Sequence, residues 1–337
     1  MIDFVKKYKP YLIAVLLVTV SLLIARFVCS IDFKSLKNYL SEMPGMFAGV
    51  ITASLCAYIS STLSWRLCMG NEGKKVPFIE LFMYRHVGEM LSFFNPTSIV
   101  AGESLKAIIL AKKGVSAKHG ISSILLQRVL IIFSGLFLGV VTMMYLTLGH
   151  ILNSRNVLMV IIVSALPLLM AHQVMRFLVH PKLFIGKTME NLKKKTGWPV
   201  FSDNLITSAY EMNEASSIFF HENKMKFFLA FLMCIIYWLF GAAEFYIILN
   251  MMGMEISIIQ ASAVEMGVML FKAAGAIVPG QIGVEEYGNK VMLDVIGIVS
   301  NEIWLVVTLI RRGRQLLWLM IAGIFMLIIS KTLSPLR

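Results

Sequence analysis

Charge of both signs is scarce in this chain, and acidic charge is the scarcer. Only 15% of its 337 residues are charged, with 19 Asp and Glu against 31 Lys and Arg, whereas 58% are hydrophobic. An ordinary soluble domain is roughly 45–50% apolar, so this composition argues against one. The basic residues form no stripe with interleaved aromatics, which argues against a nucleic-acid partner, and fall in short loops between apolar runs. The sequence therefore predicts a membrane protein.

Motifs of enzymes, metal sites and disulfide frameworks are missing as well. The cysteines show neither metal-ligand nor disulfide spacing and are expected to be reduced packing residues: Cys29, Cys56, Cys68 and Cys234. The 6 histidines form no metal-ligand pair, and the chain has neither a Gly-rich phosphate loop nor a Gly-x-Ser-x-Gly elbow. Ser104 and Lys106 in "GESLK" would need an oxyanion hole to act as a catalytic dyad. We expect no enzyme activity, no metal and no cofactor.

Apolar runs of about 20 residues are long enough to cross a bilayer, and the chain has such runs at 11–28, 46–64, 120–148, 157–178, 227–250 and 303–330. The first lacks a small-residue cleavage site, so we expect an uncleaved span. Two further runs are interrupted, 78–113 at "FFNPTSIVAGE" and 257–298 at "IVPGQIGVEE". The predicted fold class is an all-α polytopic membrane protein, with about six transmembrane helices and two re-entrant helical hairpins in one membrane domain, 1–337.

Basic loops predict the orientation, because cytoplasmic loops carry most of the Lys and Arg. Basic residues flank alternate ends of the runs, while the opposite loops hold only Lys34, Lys37 and Arg155. Both termini are then cytoplasmic, in a bacterial-type cytoplasmic (inner) membrane. The run at 78–113 enters from the cytoplasm and the run at 257–298 from outside, although either could instead be two full, short spans.

The only sizeable polar stretch is residues 181–226. It puts Ile206, Tyr210, Ile218 and Phe219 roughly on one helical face. We interpret it as an interfacial helix or helical hairpin on the cytoplasmic surface, with a plain connector as the equal alternative.

The two interrupted runs repeat each other at an offset of 183 residues, the separation of Pro96 and Pro279. The same offset relates Glu103 to Glu286, Gly114 to Gly297 and Arg128 to Arg311. Since the runs are predicted to enter from opposite sides, we interpret them as an inverted repeat. Its cores, each a hairpin plus a helix, lie at 78–148 and 257–330. Inverted repeats with discontinuous helices recur in secondary transporters.

Proline and glycine account for the breaks, since Pro cannot continue a helix and Gly tolerates a tight return. The half-helix after each break presents free N–H groups and a positive dipole end, which favour an anion. Acidic residues at these positions can equally be simple helix caps. The predicted gating or hinge residues are Asn95, Pro96, Gly102, Pro279, Gly280, Gln281, Gly283 and Glu285.

Arg128 and Arg311 each lie inside a long apolar run, where an arginine costs at least about 2.5 kcal/mol and must face a partner or a hydrated cavity. One interpretation pairs Arg128 with Glu103 and Arg311 with Glu286. The other, compatible with the first, brings the arginines to an anionic headgroup. Arg312 adds charge in the second half.

Other charged residues are weaker candidates. Lys272 aligns with Glu89 under the same offset, and opposite charges there could pair across the repeats. Lys106 could bind phosphate or merely extend its ammonium to water. Glu244 stands unpaired in an apolar run, and a hydrogen-bonded structural acid is favoured over a proton relay. The predicted substrate-binding residues are Arg128, Arg311, Arg312, Glu103, Glu286, Lys106 and Lys272.

Four segments together resemble a known family: "SWRLCMG", "NPTSIVAGESLKAIILAKKGVS", "LLQRVL" and "AGAIVPGQIGVEEYGNKVMLDVIGI". Their spacing resembles the flippase-like membrane domain of lysylphosphatidylglycerol synthetases and its stand-alone relatives, over essentially the whole chain. The family usually has a double glycine after the second proline, where this chain has Gly280 and Gln281, which predicts a stiffer loop. The positions that the resemblance carries over are Pro96, Glu103, Arg128, Pro279, Gly280, Gly283, Glu286 and Arg311.

The resemblance implies translocation of a lipid between leaflets. No aminoacyl-transfer domain is visible in the sequence, so we expect the protein to act on an anionic or phosphate-bearing lipid made elsewhere. The alternative is a non-transporting accessory subunit for a lipid- or glycolipid-modifying enzyme. The membrane lipid is the expected partner, with that enzyme as a further one.

Overall fold

The computed structural model of the chain describes residues 33–94, 98–150, 185–196, 221–275 and 278–333, with scattered positions between 169 and 219. The predicted span at 11–28, most of the span at 157–178 and about half of the polar stretch 181–226 lie outside the described residues. So do the predicted hinge residues Asn95 and Pro96.

Every regular element within the described ranges is helical, as the predicted fold class requires. The α-helices are α1 (Phe33–Cys68), α2 (Phe78–Phe94), α3 (Ser98–Lys112), α4 (Ala117–His150), α5 (Ile185–Thr196), α6 (Lys224–Met251), α7 (Ile258–Ala274), α8 (Val284–Val295) and α9 (Asn301–Leu333). Short 3₁₀ turns lie at Glu72–Lys74 and Pro279–Gln281.

Four of these helices are long and apolar enough to cross a membrane: α1, α4, α6 and α9. Their apolar segments are Met43–Cys68, His119–Leu146, Lys224–Met251 and Asn301–Ser330. They correspond to four of the six predicted spans, with ends that differ by a few residues because each helix continues into its polar flanks. The chain is therefore a polytopic, all-α membrane protein.

Helices α1 and α6 pack against each other in opposite directions. A Cβ atom on Gly45, in the first half of α1, would lie 3.1 Å from Met251 Cε at the end of α6. Toward the end of α1, the Ser64 hydroxyl donates to the Ala230 carbonyl near the start of α6, at 3.0 Å. Small residues at this contact allow the two long helices to approach closely.

Helix α4 also runs opposite to α1. The Trp65 indole donates to Ser123 Oγ at 3.3 Å, and Gln127 Nε2 donates to Ser61 Oγ at 3.1 Å. Moving forward along α4 therefore means moving backward along α1.

Helix α9 runs in the same direction as α1. A Cβ atom on Gly313 would lie 3.1 Å from the Phe47 ring, and the Trp318 indole donates to Ser54 Oγ at 2.9 Å. Helices α1 and α9 thus point one way and α4 and α6 the other. These are the relative directions that the basic loops predict, whereas the identity of the cytoplasmic side stays a prediction.

Two helical hairpins lie between these long helices. In the first, Lys113 after α3 pairs with Glu80 at the start of α2 at 2.8 Å, so α2 and α3 are antiparallel. In the second, a Cβ atom on Gly288 of α8 would lie 2.9 Å from Phe271 Cβ of α7, and Gly275 at the end of α7 adjoins the start of α8. In each hairpin, one helix ends and the next begins within or beside a predicted interruption, at Phe94 and Ser98 in the first and at Ala274 and Val284 in the second.

The hairpins begin at opposite ends of the bundle and meet at their tips. Helix α1 ends where α4 begins, so the α2–α3 hairpin starts and finishes at that end. Helix α6 ends and α9 begins at the other end, which is where the α7–α8 hairpin starts and finishes. At the tips, a Cβ atom on Gly280 would lie 3.1 Å from Phe93 Cζ.

Both hairpins connect to the next long helix through the same turn. Gly114 (φ 79°) and Gly297 (φ 88°) adopt left-handed conformations. The Val115 amide donates to Leu110 O, and the Ile298 amide donates to Leu293 O. The two hydrogen bonds are equivalent, since their residues are related by the 183-residue offset. Glycine is favoured here because a side chain would strain this backbone conformation.

The prediction that Gly102 forms part of a tight return is wrong. Gly102 lies inside α3, where a Cβ atom would collide with the carbonyl oxygen of Gly88 on α2. The glycine is needed for backbone contact between the two limbs rather than for a turn.

We predict that Gly102→Ala destabilises the protein by about 1–3 kcal/mol, because the added methyl group forces α3 away from α2. The matched control is Gly323→Ala on α9, where a Cβ atom meets nothing within 4 Å. The control should be neutral or gain up to about 1 kcal/mol from helix propensity. Detergent-induced unfolding midpoints of the purified variants measure both. A Gly102→Ala midpoint at or above that of the control would contradict the contact.

Candidate functional site

A cavity of about 560 Å³ lies where the two hairpin tips meet. Its walls come from α1, α2, α4, α6, α7, α8 and α9 and from the turn around Gly280. Nine charged side chains line it: Arg85, Glu89, Arg128, Glu244, Glu265, Lys272, Glu285, Arg311 and Arg314. So many ionisable groups between apolar helices mark the cavity as the candidate functional site.

On the side of the first hairpin, Arg128 of α4 binds two carboxylates. Its Nε donates to Glu103 Oε1 at 2.6 Å and its Nη2 donates to Glu89 Oε1 at 2.8 Å. The predicted pair of Arg128 with Glu103 is therefore present, and it fastens α3 to α4. Glu89 is a second partner that the repeat did not indicate.

Lys106 is buried rather than extended to water. Its ammonium pairs with Glu103 at 2.9 Å and lies 5.7 Å from the centre of the Trp65 ring. It does not line the cavity, so its contribution there is to hold Glu103 in place. The interpretation in which Lys106 merely reaches for solvent is wrong.

On the side of the second hairpin, Arg311 of α9 is 3% exposed and surrounded by three carboxylates. Its guanidinium lies 3.0 Å from Glu265, 3.3 Å from Glu244 and 3.5 Å from Glu285. The predicted pair of Arg311 with Glu286 is wrong. Arg311 instead points into the interior between α6, α7 and α8, with its guanidinium over the Phe245 ring at 4.2 Å.

Arg312, the next residue, is the partner of Glu286, with Nε 2.5 Å from Glu286 Oε1. Its Nη groups also donate to the carbonyl oxygens of Gly280 at 3.1 Å and Gln281 at 3.2 Å. Consecutive residues on an α-helix are rotated by about 100°, so one step along α9 turns the guanidinium from the bundle interior to the hairpin turn. Arg312 thus holds the turn and does not line the cavity.

The contacts of Lys272 and Glu244 also differ from those that the sequence suggests. Lys272 pairs with Glu285 at 3.6 Å, within its own hairpin, rather than with Glu89 of the first hairpin. Glu244 is not unpaired: its side chain is 1% exposed and it accepts a hydrogen bond from Arg314 Nη1 at 2.6 Å. Glu244 is therefore hydrogen-bonded, as expected for a structural acid, whereas its role stays a prediction.

The turn of the second hairpin has the tight backbone predicted for it. Gly280 (φ 62°) and Gly283 (φ 83°) have positive φ, and so does Gln281 (φ 52°), an uncommon conformation for a residue with a side chain. The side-chain Nε2 of Gln281 donates to Lys272 O at 3.3 Å. Pro279 starts the 3₁₀ turn. Gating by these residues stays a prediction.

Glu103, Glu285 and Glu286 could each be a helix cap by sequence. Glu286 does cap a helix. Its Oε2 accepts from the Gly283 amide at 2.7 Å at the start of α8, while its Oε1 binds Arg312. Glu285 instead turns inward and accepts from Gln315 Nε2 at 2.7 Å. Glu103 lies within α3 and serves Arg128 and Lys106.

Arg85 and His86 on α2 are cavity residues that the sequence reasoning missed. Arg85 is 6% exposed; its Nε donates to Ser61 Oγ at 3.1 Å and its guanidinium lies 4.7 Å from the centre of the Tyr58 ring. It makes no ion pair with any carboxylate of the described residues. The sequence does carry a signal for Arg85, since it stands in an apolar stretch as Arg128 does.

The lining holds one more cation than carboxylates, with five Arg and Lys side chains against four Glu. The excess lies with Arg85, since each other lining cation has a carboxylate partner. Within the described ranges, no group of three or more His, Cys, Asp or Glu is arranged to hold a metal ion. The arrangement is suited to one bound anion.

We predict that Arg311→Gln destabilises the protein by roughly 3–5 kcal/mol, because three carboxylates lose the cation they surround. Adding Glu265→Gln should recover part of that loss by removing one uncompensated charge. Lys74→Gln, at an exposed position outside the bundle, is the control for a lost positive charge. Unfolding midpoints report all of these effects. An Arg311→Gln variant as stable as Lys74→Gln would refute the structural role of Arg311.

No curated protein and no solved structure matches this chain. The model of one family, the lysylphosphatidylglycerol synthase transmembrane region, matches residues 11–323, nearly the whole sequence. The resemblance drawn from the four segments is thereby confirmed, and it extends over the long helices, both hairpins and the cavity between them. The chain belongs to the lysylphosphatidylglycerol synthase transmembrane-region family.

Proposed function

We propose that this protein moves an anionic or phosphate-bearing lipid between the leaflets of a bacterial-type cytoplasmic membrane. The observation that carries the proposal is the charged cavity where two hairpins from opposite ends of the bundle meet. A headgroup would cross through this cavity while its hydrocarbon tails stay in the lipid. Membership of a family named for a lipid synthase gives independent support for a lipid-related role.

The arrangement of the hairpins supports an inverted repeat with re-entrant segments. Helix α8 has 12 residues and is about 18 Å long at 1.5 Å per residue, well short of a bilayer core of about 30 Å. A limb this short is better explained as entering partway and returning than as a full span. Irregular backbone within a bilayer is tolerated only where it is buried in protein or lines a wet cavity, and the turn at Gly280 lines the charged cavity.

The ion pairs support a site that can exist both empty and loaded. Buried arginines are costly without partners, so Glu103 and Glu89 compensate Arg128 when no headgroup is present. An entering phosphate would compete with these carboxylates for the guanidinium. Exchange between the two sets of pairs would then shift the balance between inward-open and outward-open states. With no nucleotide motif in the sequence, transport would run downhill or be coupled to protons or membrane potential.

We predict that the reconstituted protein accelerates leaflet exchange of a fluorescent anionic phospholipid, and that Arg128→Gln slows this exchange roughly 10–100-fold. The estimate assumes the loss of a charged hydrogen bond worth about 1.5–3 kcal/mol. Lys74→Gln is the matched control and should exchange lipid at the wild-type rate. Dithionite quenching of the fluorophore in the outer leaflet of liposomes measures the exchange.

Absence of exchange for every lipid tested would favour the accessory-subunit alternative. In that case, removal of residues 181–226 should release a lipid-modifying enzyme that co-purifies with the intact chain. If Arg128→Gln exchanged lipid as fast as Lys74→Gln, the headgroup role of Arg128 would be wrong.

We predict that Ser116→Cys and Val299→Cys, introduced singly after replacement of the native cysteines, react with a membrane-impermeant thiol reagent from opposite sides. The two positions are equivalent at the 183-residue offset, and both are exposed just before a long helix. Position 116 should be labelled from the cytoplasm and position 299 from outside. Labelling of intact cells and of inverted vesicles distinguishes the sides, and labelling of both positions from one side would refute the inverted arrangement.

A further inference from the structure

Arg311 is surrounded by three carboxylates, yet the carboxylate oxygens that face it accept no hydrogen bond within the described ranges. Glu265 Oε2, Glu244 Oε2 and Glu285 Oε1 lie 3.0, 3.3 and 3.5 Å from the guanidinium, and each is buried without a hydrogen-bond partner. The Nε and Nη1 atoms of Arg311 also lack one, although the residue is only 3% exposed. Arg128 differs, since it donates hydrogen bonds to both of its carboxylates. Buried oxygens without a donor call for one that the described side chains do not supply.

Glu265 is the acid of the three that, within the described part of the chain, has Arg311 as its only cation. The other two acids each have a second cation within ion-pair distance, Arg314 at 2.6 Å and Lys272 at 3.6 Å. Glu265 is also the most exposed of the three, at 13% of its side chain against 1% and 3%, and it lines the cavity. An acid that depends on one cation and meets the cavity is the one placed to exchange a proton with water.

We propose that Glu265 is a proton-binding site whose proton is carried together with the lipid anion. In the empty state, Glu265 is ionised and pairs with Arg311. When a phosphate oxygen accepts a hydrogen bond from Arg311, Glu265 loses that counter-charge. Its Oε2 then forms an O–H bond with a proton from cavity water, because an unpaired charge is costly inside a protein. Departure of the lipid lets the proton leave and the ion pair re-form.

The groups around Glu265 act on this proton in opposite directions. Neighbouring carboxylates favour it, since like charges that share one guanidinium repel each other, whereas neighbouring arginines oppose it. The occupancy of Arg311 therefore decides whether the proton is bound. Helix α4 also packs against α7, and its charged lining residue, Arg128, is already engaged by two acids. The other groups that bear on Glu265 are Tyr237 and Glu244 on α6, Lys272 on α7 itself, Glu285 on α8, and Arg311 and Arg314 on α9.

Proton and anion favour each other's binding in this arrangement. A proton on Glu265 frees the charge of Arg311 and raises the affinity for the anion, so the anion must raise the affinity for the proton by the same factor. A proton and a lipid of one negative charge together add no net charge to the protein. A pH difference across the membrane therefore drives such a lipid toward the alkaline side. This inference rests on the proposed lipid transport and names the ion that is coupled to it.

Lipid distribution in proteoliposomes under a pH difference tests the coupling. The probe is phosphatidylglycerol with a short fluorescent chain, which albumin extracts from the outer leaflet. Equal potassium on both sides with valinomycin holds the membrane potential at zero. With the lumen about one pH unit more alkaline than the outside, wild-type protein should enrich the probe in the inner leaflet up to about tenfold, the ratio of the proton activities. Protein-free liposomes control for passive redistribution.

Three variants assign the enrichment to its residue. Glu265→Gln has no exchangeable carboxyl proton, so the pH difference should not enrich the probe. Glu265→Asp keeps a carboxyl group and should restore at least part of the enrichment. Glu255→Gln, at an exposed position in the loop before α7, is the matched control for a lost carboxylate and should enrich the probe as the wild type does. Unfolding midpoints confirm that each variant is folded.

Proton uptake on binding separates failure of the site from failure of transport. Calorimetry of soluble dihexanoylphosphatidylglycerol with the detergent-purified protein, in two buffers of different ionisation enthalpy, counts the protons taken up with each lipid. The wild type should take up about one and Glu265→Gln none. Uptake that requires Glu265, without leaflet exchange, would uphold the site and overturn the transport function. Exchange that leaves the probe equally distributed under the pH difference would overturn the site alone, as would wild-type enrichment or proton uptake in Glu265→Gln.

Discussion

Pairing of carboxylates with guanidinium groups inside the helical bundle is the interaction on which this structure depends. Glu103 on α3 binds Arg128 on α4, and Glu286 on α8 binds Arg312 on α9. In both halves, an acid on the second limb is fastened to an arginine on the following long helix. Removal of one partner alone leaves the other charge without its counter-charge inside the bundle.

The same pairing makes a polar cavity possible between apolar helices. The four carboxylates of the lining are engaged by neighbouring cations, so the cavity repels an anion less than a count of its acids suggests. The two halves of the chain surround their arginines differently. The second half surrounds Arg311 with three acids, whereas Arg85 of the first half has no carboxylate within ion-pair distance among the described residues and contacts Ser61 and Tyr58. An inverted arrangement of similar elements therefore need not have symmetrical chemistry.

Apolar runs and helix breakers made the long helices and the hairpin bends predictable, because both signals are local in sequence. The ion-pair partners of the arginines were not predictable, because a side chain's direction depends on its rotation about the helix axis. The offset of 183 residues aligns Arg311 with Arg128, yet one further step along α9 puts Arg312, not Arg311, against Glu286. Gly102 was misassigned for a related reason, since its sequence context resembles a turn while its need for glycine comes from the Gly88 carbonyl of another helix. Contacts of this kind join residues that are far apart in the chain, so they produce no repeating pattern in the sequence.

The closeness of Phe93 to Gly280 has a mechanical consequence. The ring at the end of α2 stands almost where a side chain on the facing turn would be, so the two tips occupy adjoining space with nothing larger than hydrogen between them. If one tip moved farther along the bundle axis, it would meet the other unless that tip withdrew. Steric contact at this one point would then couple movements of the two hairpins without a chain of polar contacts.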